Sequence, residues 1–322
     1  MEANVGIKKC SRLMIVFVIL CIIHLTFISP IHAVNANSSL LPYTKVVLDN
    51  GLTILVKEVH SSPIVAVDIW VGAGARNETA ENAGISHFFE HMLFKGTSKR
   101  KVGEISKAIQ SVGGYLNAAT SLDYTHYYVV VPSEYADLAL DVQADAILHS
   151  TFDPAEIELE REVILEERKL KEDNPQGKLA LTAYQTLFAG TPYANEVLGS
   201  PESLKNLNRD KFLQYHQQYY VPNNMVVVVV GDIDTWQVVL KVAELFKDAR
   251  PRELPPQQGF KIPALKESKR VEIKKDVDQT YLYLATPIPV DNLKENTALD
   301  ILATILGGGR SSRLYQELRE EK

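Results

Sequence analysis

Residues 84–95 read Gly-Ile-Ser-His-Phe-Phe-Glu-His-Met-Leu-Phe-Lys, and no other stretch constrains the chain so tightly. Wound as a helix at roughly 100° per residue, the segment divides into two faces. Ile85, Phe88, Phe89, Met92 and Leu93 fall on one side, and His87, Glu90 and His91 on the other. A fold that accepts this helix has to bury the first face in a core and hold the second open. Imidazoles at i and i+4 lie one turn apart and can grip a single zinc ion. Glu90 then sits beside the metal without needing to bind it.

A catalytic zinc takes three protein ligands and keeps one position open. The predicted helix at 156–171 offers the third. Ile157, Leu159, Val163, Ile164 and Leu170 define its apolar arc, with Glu160 and Glu167 near the centre. Glu158, Glu162 and Lys169 fall opposite, and Glu166 at the border. Carboxylates within an apolar face are costly unless a metal or a cation meets them. Glu167 as ligand and Glu160 as acceptor behind a ligand imidazole satisfy both carboxylates. A charged helix without a site is the alternative that this helix alone leaves open.

The rest of the chain alternates short β-rich runs with helices. Residues 44–48 and 52–59 flank Asn50-Gly51, which predicts a hairpin with a type I′ turn. Further strands are expected at 64–71, 115–120, 126–131 and 225–230. Helices are expected at 83–94, 102–112, 138–149, 154–172, 178–188, 211–219 and 236–246. Asp153 caps the long one, with Pro154 at its first position. Residues 250–259, rich in Pro, Arg and Gln, read as a linker. A new start follows, with strands at 270–274 and 280–285 and a helix at 295–306, in the order of the first domain. The fold class is α+β: a layered, antiparallel-rich sheet packed with helices, and a domain repeat whose second copy is incomplete. The domains are 1–36 as a leader, 43–247 as the zinc-binding domain, 248–259 as linker and 260–322 as the second domain.

The leader has a basic start (Lys8, Lys9, Arg12), an apolar run at 13–28, Pro30, and small residues at Ala33 and Ala36. That pattern describes an export signal, cleaved after Ala36 or Ala33, into the periplasm or the medium. An uncleaved anchor formed by 13–28 is the alternative. Cleavage removes Cys10 and Cys21, the only cysteines, so no disulfide framework is available. The net charge of −6 gives no footprint for nucleic acid, and membrane contact is expected only through the leader. His60, His126, His149 and His216 stand alone and are expected in structural or surface roles, Trp70 and Trp236 read as core, and residues 99–101 read as a solvated basic turn.

His87-Phe-Phe-Glu-His91 resembles the inverted zinc motif H-x-x-E-H of the inverzincins. Gly74-Ala-Arg-Asn-Glu78, Phe94-Lys-Gly-Thr97, Asn117-Ala-Ala-Thr-Ser121, Val163-Ile-Leu-Glu-Glu167, Pro192-Tyr193, Leu198-Gly199 and Leu306–Tyr315 resemble the pitrilysin (M16) family of zinc peptidases. Among its members the chain is most similar to the short bacterial type related to the mitochondrial processing peptidase. The resemblance runs from about Tyr43 to the last residue, in family order. It implies one zinc per chain, held by His87, His91 and Glu167, with Glu90 as general base and Glu160 behind the site. It implies that Asn117 and Ala118 mark the edge strand that receives the peptide substrate, and that Arg319 holds the substrate carbonyl. The family's active unit is a clamshell of two halves, so a second subunit of the same type or a homodimer is implied as partner. The second domain stops at Lys322, short of a complete layered domain, which implies a C-terminally truncated member. The expected function is an exported zinc endopeptidase acting on peptides or unfolded segments. A non-catalytic or partner-dependent scaffold subunit is the alternative.

Overall fold

The computed structural model describes residues 43–256, 259, 267–288 and 293–321. The leader expected at 1–36, with its cleavage sites and cysteines, lies outside the described residues.

Alternation of period two builds the sheet. Strand β3 (Ile64–Val71) buries Val65, Val67, Ile69 and Val71 and turns Ala66, Asp68 and Trp70 to the other face. Strands β5 (Thr125–Pro132) and β6 (Met225–Gly231) repeat this with Tyr127, Val129 and Val131 and with Val227 and Val229. With β1 (Thr44–Val47), β2 (Thr53–Glu58) and β4 (Tyr115–Thr120) they form one sheet in the order β1-β2-β6-β3-β5-β4. Only β2 and β6 run parallel, and every other pair is antiparallel. Strand β4 is an edge, paired on one side with β5. The α+β, antiparallel-rich expectation holds.

Helices pack against the sheet and against one another. They are α1 (Ile85–Met92), α2 (Glu104–Gln110), α3 (Ala136–His149), α4 (Pro154–Asp173), α5 (Pro175–Leu187), α6 (Pro201–Lys205), α7 (Arg209–Tyr219) and α8 (Thr235–Leu245). A further helix, α9 (Leu293–Gly307), lies where 295–306 is expected. The apolar face of α1 is the centre of the core. Its Phe88 ring meets Phe212 edge-on at 5.0 Å, and its Phe89 ring lies 4.8 Å from Phe152 and 4.1 Å from Tyr220. Among the described residues no helix is long and apolar enough to cross a membrane.

Several expectations are corrected. The β1–β2 turn is not type I′, which needs positive φ at both central residues. Gly51 has φ 85°, but Asn50 does not share it. Asn50 is held by tertiary bonds instead, its Nδ2 donating to Phe246 O at 3.0 Å and Ala249 O at 3.3 Å. Residues 270–274 and 280–285 join no strand and are largely exposed. A strand exists only where its backbone finds a partner, and these segments meet none among the described residues. Trp236 is 63% exposed rather than core. The basic cluster at 99–101 is not simply solvated, since Arg100 pairs with Asp141 and with Asp145 and Lys99 reaches Asp141 at 2.9 Å. His60, His126 and His216 keep the structural or surface roles expected of them: His60 meets Asp232 at 2.7 Å, His126 Asp68 at 3.1 Å, and His216 Ile147 O at 2.6 Å.

Helix α4 carries the most instructive correction. Its buried residues are Ile157, Glu160, Arg161, Ile164 and Arg168, while Leu159, Val163 and Leu170 are exposed. Charge pairing, not hydropathy, orients this helix. Arg161 donates to the carbonyls of Leu204 and Leu207, the latter at 2.7 Å, and lies 5.6 Å from the centre of the Phe88 ring. It therefore fastens α4 both to the end of α6 and to α1. Replacing it by Ala strands two carbonyls that water reaches poorly. Arg161→Ala is expected to cost roughly 2–4 kcal/mol in a urea-unfolding measurement, and Arg161→Lys to recover only part of that.

Candidate metal centre

Helix α1 starts at Gly84, with φ 91° and no side chain to cap the helix. Glu78 does the capping from outside. Its carboxylate accepts the backbone N–H of Gly84 at 2.6 Å and of Ser86 at 2.8 Å. Burial pushes the Glu78 carboxyl up to about 7, against the pull of the Ser86 and Gly84 donors. A Cβ on Gly84 would stand 2.9 Å from Gly199 Cα and from Leu198 O, so the 195–199 loop rests directly on the helix start. Ser86 Oγ also meets Tyr215 OH at 2.7 Å, which ties α1 to α7. With its apolar face and its N-terminus fixed, α1 presents His87, Glu90 and His91 on its remaining side.

Glu167 comes to meet them from α4. Its Oε2 lies 3.5 Å from His87 Nε2 and 3.8 Å from His91 Nε2. One ligand atom from each of His87, His91 and Glu167 lies within 4.8 Å of the others. A tetrahedral zinc with bonds of about 2.0–2.1 Å holds its ligand atoms roughly 3.3 Å apart, so the three sit close to the required spacing. Glu160 Oε2 is 2.9 Å from His91 Nδ1. A proton on Nδ1 donated to that carboxylate leaves the Nε2 lone pair for a metal. His87 Nδ1 is buried without a hydrogen-bond partner among the described residues, so nothing competes for the orientation set through Nε2. Burial, reinforced by His91, lowers the His87 imidazole to about 4 and keeps it neutral at pH 7. Metal binding requires that state. The donor set of two imidazoles and a carboxylate fits zinc.

The surrounding charges hold the carboxylates ionised. Burial alone would raise Glu160, but its hydrogen bonds with Lys95 and His91 prevail and lower it. Glu167 is lowered in the same way, with Lys171 Nζ at 2.9 Å from its Oε1 outweighing burial. Glu90 differs. Burial pushes its carboxyl up, only partly opposed by the Thr120 hydroxyl, which donates to Oε2 at 2.5 Å. The site therefore contains two firmly anionic carboxylates and one whose proton affinity is raised.

Asn117 and Ala118 lie on edge strand β4, which reaches the site through Thr120. The Ala118 N–H donates to Asn117 Oδ1 at 2.9 Å. Arg319 is not brought to the centre. Its guanidinium lies 5.1 Å from the Tyr315 ring, and no hydrogen bond or ion pair among the described residues joins it to the site. Sequence reasoning passed over Glu78, Lys95 and Thr120. Glu78 had a readable signal, an acid just ahead of a helix whose own cap is glycine. Thr120 had none, because its contact depends on where β4 ends relative to α1.

Glu160 lies behind His91 rather than among the three converging atoms. Glu160→Ala is expected to lower zinc affinity about 10–100-fold in a chelator competition titration, with the fold retained.

Residues 53–201 match the family model described as insulinase (peptidase family M16), and residues 206–322 match that of the peptidase M16 inactive domain. An uncharacterized zinc protease of Mycobacterium leprae is 37% identical over 282 residues, covering 85% of this chain and 62% of the relative. An uncharacterized zinc protease of Bacillus subtilis, YmxG, is 36% identical over 273 residues, covering 85% of this chain and 66% of the relative. The chain thus spans less than two thirds of the length of both. Among solved structures, a protease from Helicobacter pylori superposes with a TM-score of 0.72 at 29% identity, covering 87% of this chain and 68% of that one.

Proposed function

This chain belongs to the insulinase family of peptidases, M16, and from that premise we propose that it is an exported zinc endopeptidase acting on peptides or unfolded segments. The observation that carries the reading is the convergence of His87 Nε2, His91 Nε2 and Glu167 Oε2 with Glu90 on the same helix face. His87, His91 and Glu167 would hold the zinc, which when bound would supply Lewis-acid polarisation of the scissile carbonyl and acidify water for attack at neutral pH.

The chain's own groups do the rest. Glu90 takes a proton from the attacking water and later returns it to the leaving amine. The Thr120 hydroxyl fixes the direction of one Glu90 oxygen while leaving the other for the water. Glu160, ion-paired with Lys95, fixes the His91 ring through Nδ1 and would leave Nε2 for a zinc ion. The peptide adds as a further strand to the free edge of β4. Asn117 Oδ1 now occupies the Ala118 N–H, so that side chain swings aside when substrate backbone takes its place. Arg319 would hold the substrate carbonyl.

In the same reading residues 43–247 are the zinc-binding domain, 248–259 a linker and 260–322 part of a second, homologous domain. A second chain of the same family, or a second copy of this one, closes over the site. Export rests on the basic and apolar pattern of residues 1–36.

Glu90→Gln separates metal binding from proton transfer. It is expected to retain one zinc per chain and to lose kcat/KM by roughly a hundredfold or more on a quenched fluorescent peptide. Unchanged hydrolysis, or zinc lost together with activity, contradicts the role given to Glu90.

A further inference from the structure

We infer that Arg76 is a positioning residue for the substrate: through Asp123 and Tyr193 it fixes the end of strand β4, where Thr120 meets Glu90, and so sets how a peptide paired with that strand lies over the metal centre. The inference rests on the peptidase reading above and extends it from the groups that react to one that acts through a strand.

The segment Gly74-Ala-Arg-Asn-Glu78 supplies none of the three ligands and not the general base, yet it is joined to both parts of the site. Glu78 holds the start of α1. Residues 73–76 are stitched to the turn between β4 and β5. The Ala75 N–H donates to Ser121 O at 3.1 Å and the Arg76 N–H to Leu122 O at 2.9 Å. Thr125 Oγ1 donates to Ala73 O at 2.9 Å. A Cβ on Gly74 would overlap Ser121 O and stand 2.7 Å from Leu122 O, so only glycine lets the turn come this close. The turn follows Thr120 directly, and the Thr120 hydroxyl donates to Glu90. Five residues therefore set the spacing between the helix that carries the centre and the strand that receives the peptide.

The Arg76 side chain adds a tie to the tip of the same turn. Its Nη1 lies 2.7 Å from Asp123 Oδ1 and 3.2 Å from Tyr193 OH, and Tyr193 OH donates to that Asp123 oxygen at 2.5 Å. Asp123 is thus held from two directions. Tyr193 belongs to the helical turn Pro192–Ala194, and the next residue, Asn195, donates to Ala75 O at 2.8 Å and to Glu78 O at 3.2 Å. The triangle is braced on residues 75–78 at both ends. Its contribution to stability is small, because the Arg76 and Asp123 side chains are 25% and 43% exposed and water screens such a pair. What it supplies is direction. Strand β4 is paired on one side only, so the ties at its end decide where its free edge lies. A shift of about 1 Å in how substrate is placed costs up to roughly a hundredfold in rate.

Two peptides that share one cleavable bond test this, one of about four residues and one of about ten, the second long enough to pair along all six residues of β4. The zinc-loaded full chain is expected to favour the longer peptide about tenfold or more in kcat/KM, the gain from a few main-chain hydrogen bonds. Arg76→Ala is expected to cut that ratio to about threefold or less, with zinc content unchanged. Asp123→Asn keeps a turn-forming residue of the same size and removes the anion, and is expected to lower the ratio in the same direction. The double variant is expected to fall no further than Arg76→Ala, because the two groups act as one unit. A loss of folded protein alone slows both peptides alike and leaves the ratio as it was. An unchanged ratio in both single variants therefore overturns the role of Arg76 while leaving the peptidase reading intact. A zinc-loaded wild-type chain that cleaves both peptides equally well overturns strand pairing, and the positioning role with it. One that cleaves neither overturns the peptidase reading itself.

Discussion

Four charged side chains on one helix have to be compensated away from bulk water, and the rest of the centre follows from how this is done. Helix α4 turns Glu160, Arg161, Glu167 and Arg168 inwards. A charge in such a place is tolerated only when paired and hydrogen-bonded. Each finds a different partner: Glu160 meets Lys95 and His91, Arg161 the carbonyls after α6, and Arg168 the Gly199 carbonyl and Glu196. Glu167 meets Lys171 with one oxygen and faces two imidazoles with the other. These pairings fix α4 against α1 and against the 195–207 segment before any metal is considered.

The same logic runs through α1. Its apolar face is committed to the phenylalanine cluster, and its first N–H groups are committed to Glu78. Neither rotation about its axis nor sliding along it is free. The two imidazoles and Glu90 are consequently aimed by groups outside their own cluster. A preorganised site of this kind loses little freedom when it binds an ion or a transition state. The sheet adds the last constraint, because the edge of β4 ends on Glu90 through Thr120.

The sheet and most helices were legible from periodicity, since β3, β5 and β6 alternate cleanly and α1 has a sharp apolar face. The grouping of His87, Glu90 and His91 on one helix face was legible too, because spacing on a helix is a local property, and the structure brings Glu167 to the two imidazoles from another helix. What failed was whatever depended on tertiary pairing. The apolar arc of α4 was drawn through Leu159, Val163 and Leu170, which point outwards, because hydropathy cannot see that Arg161 and Arg168 have buried partners. The β1–β2 turn was misread because Asn50 is held by the end of α8, nearly two hundred residues away in sequence. The strands expected at 270–274 and 280–285 carry β propensity without a partner, and propensity alone does not make a sheet.

The central claim is that His87, His91 and Glu167 together hold one zinc ion. Zinc-edge X-ray absorption on the dialysed full chain, with metal stoichiometry measured on the same sample, tests it most directly. The expected result is one zinc per chain, with two imidazole nitrogens and a carboxylate oxygen in its inner shell at about 2.0–2.2 Å. A chain that retains no zinc, or an inner shell without imidazole, contradicts it.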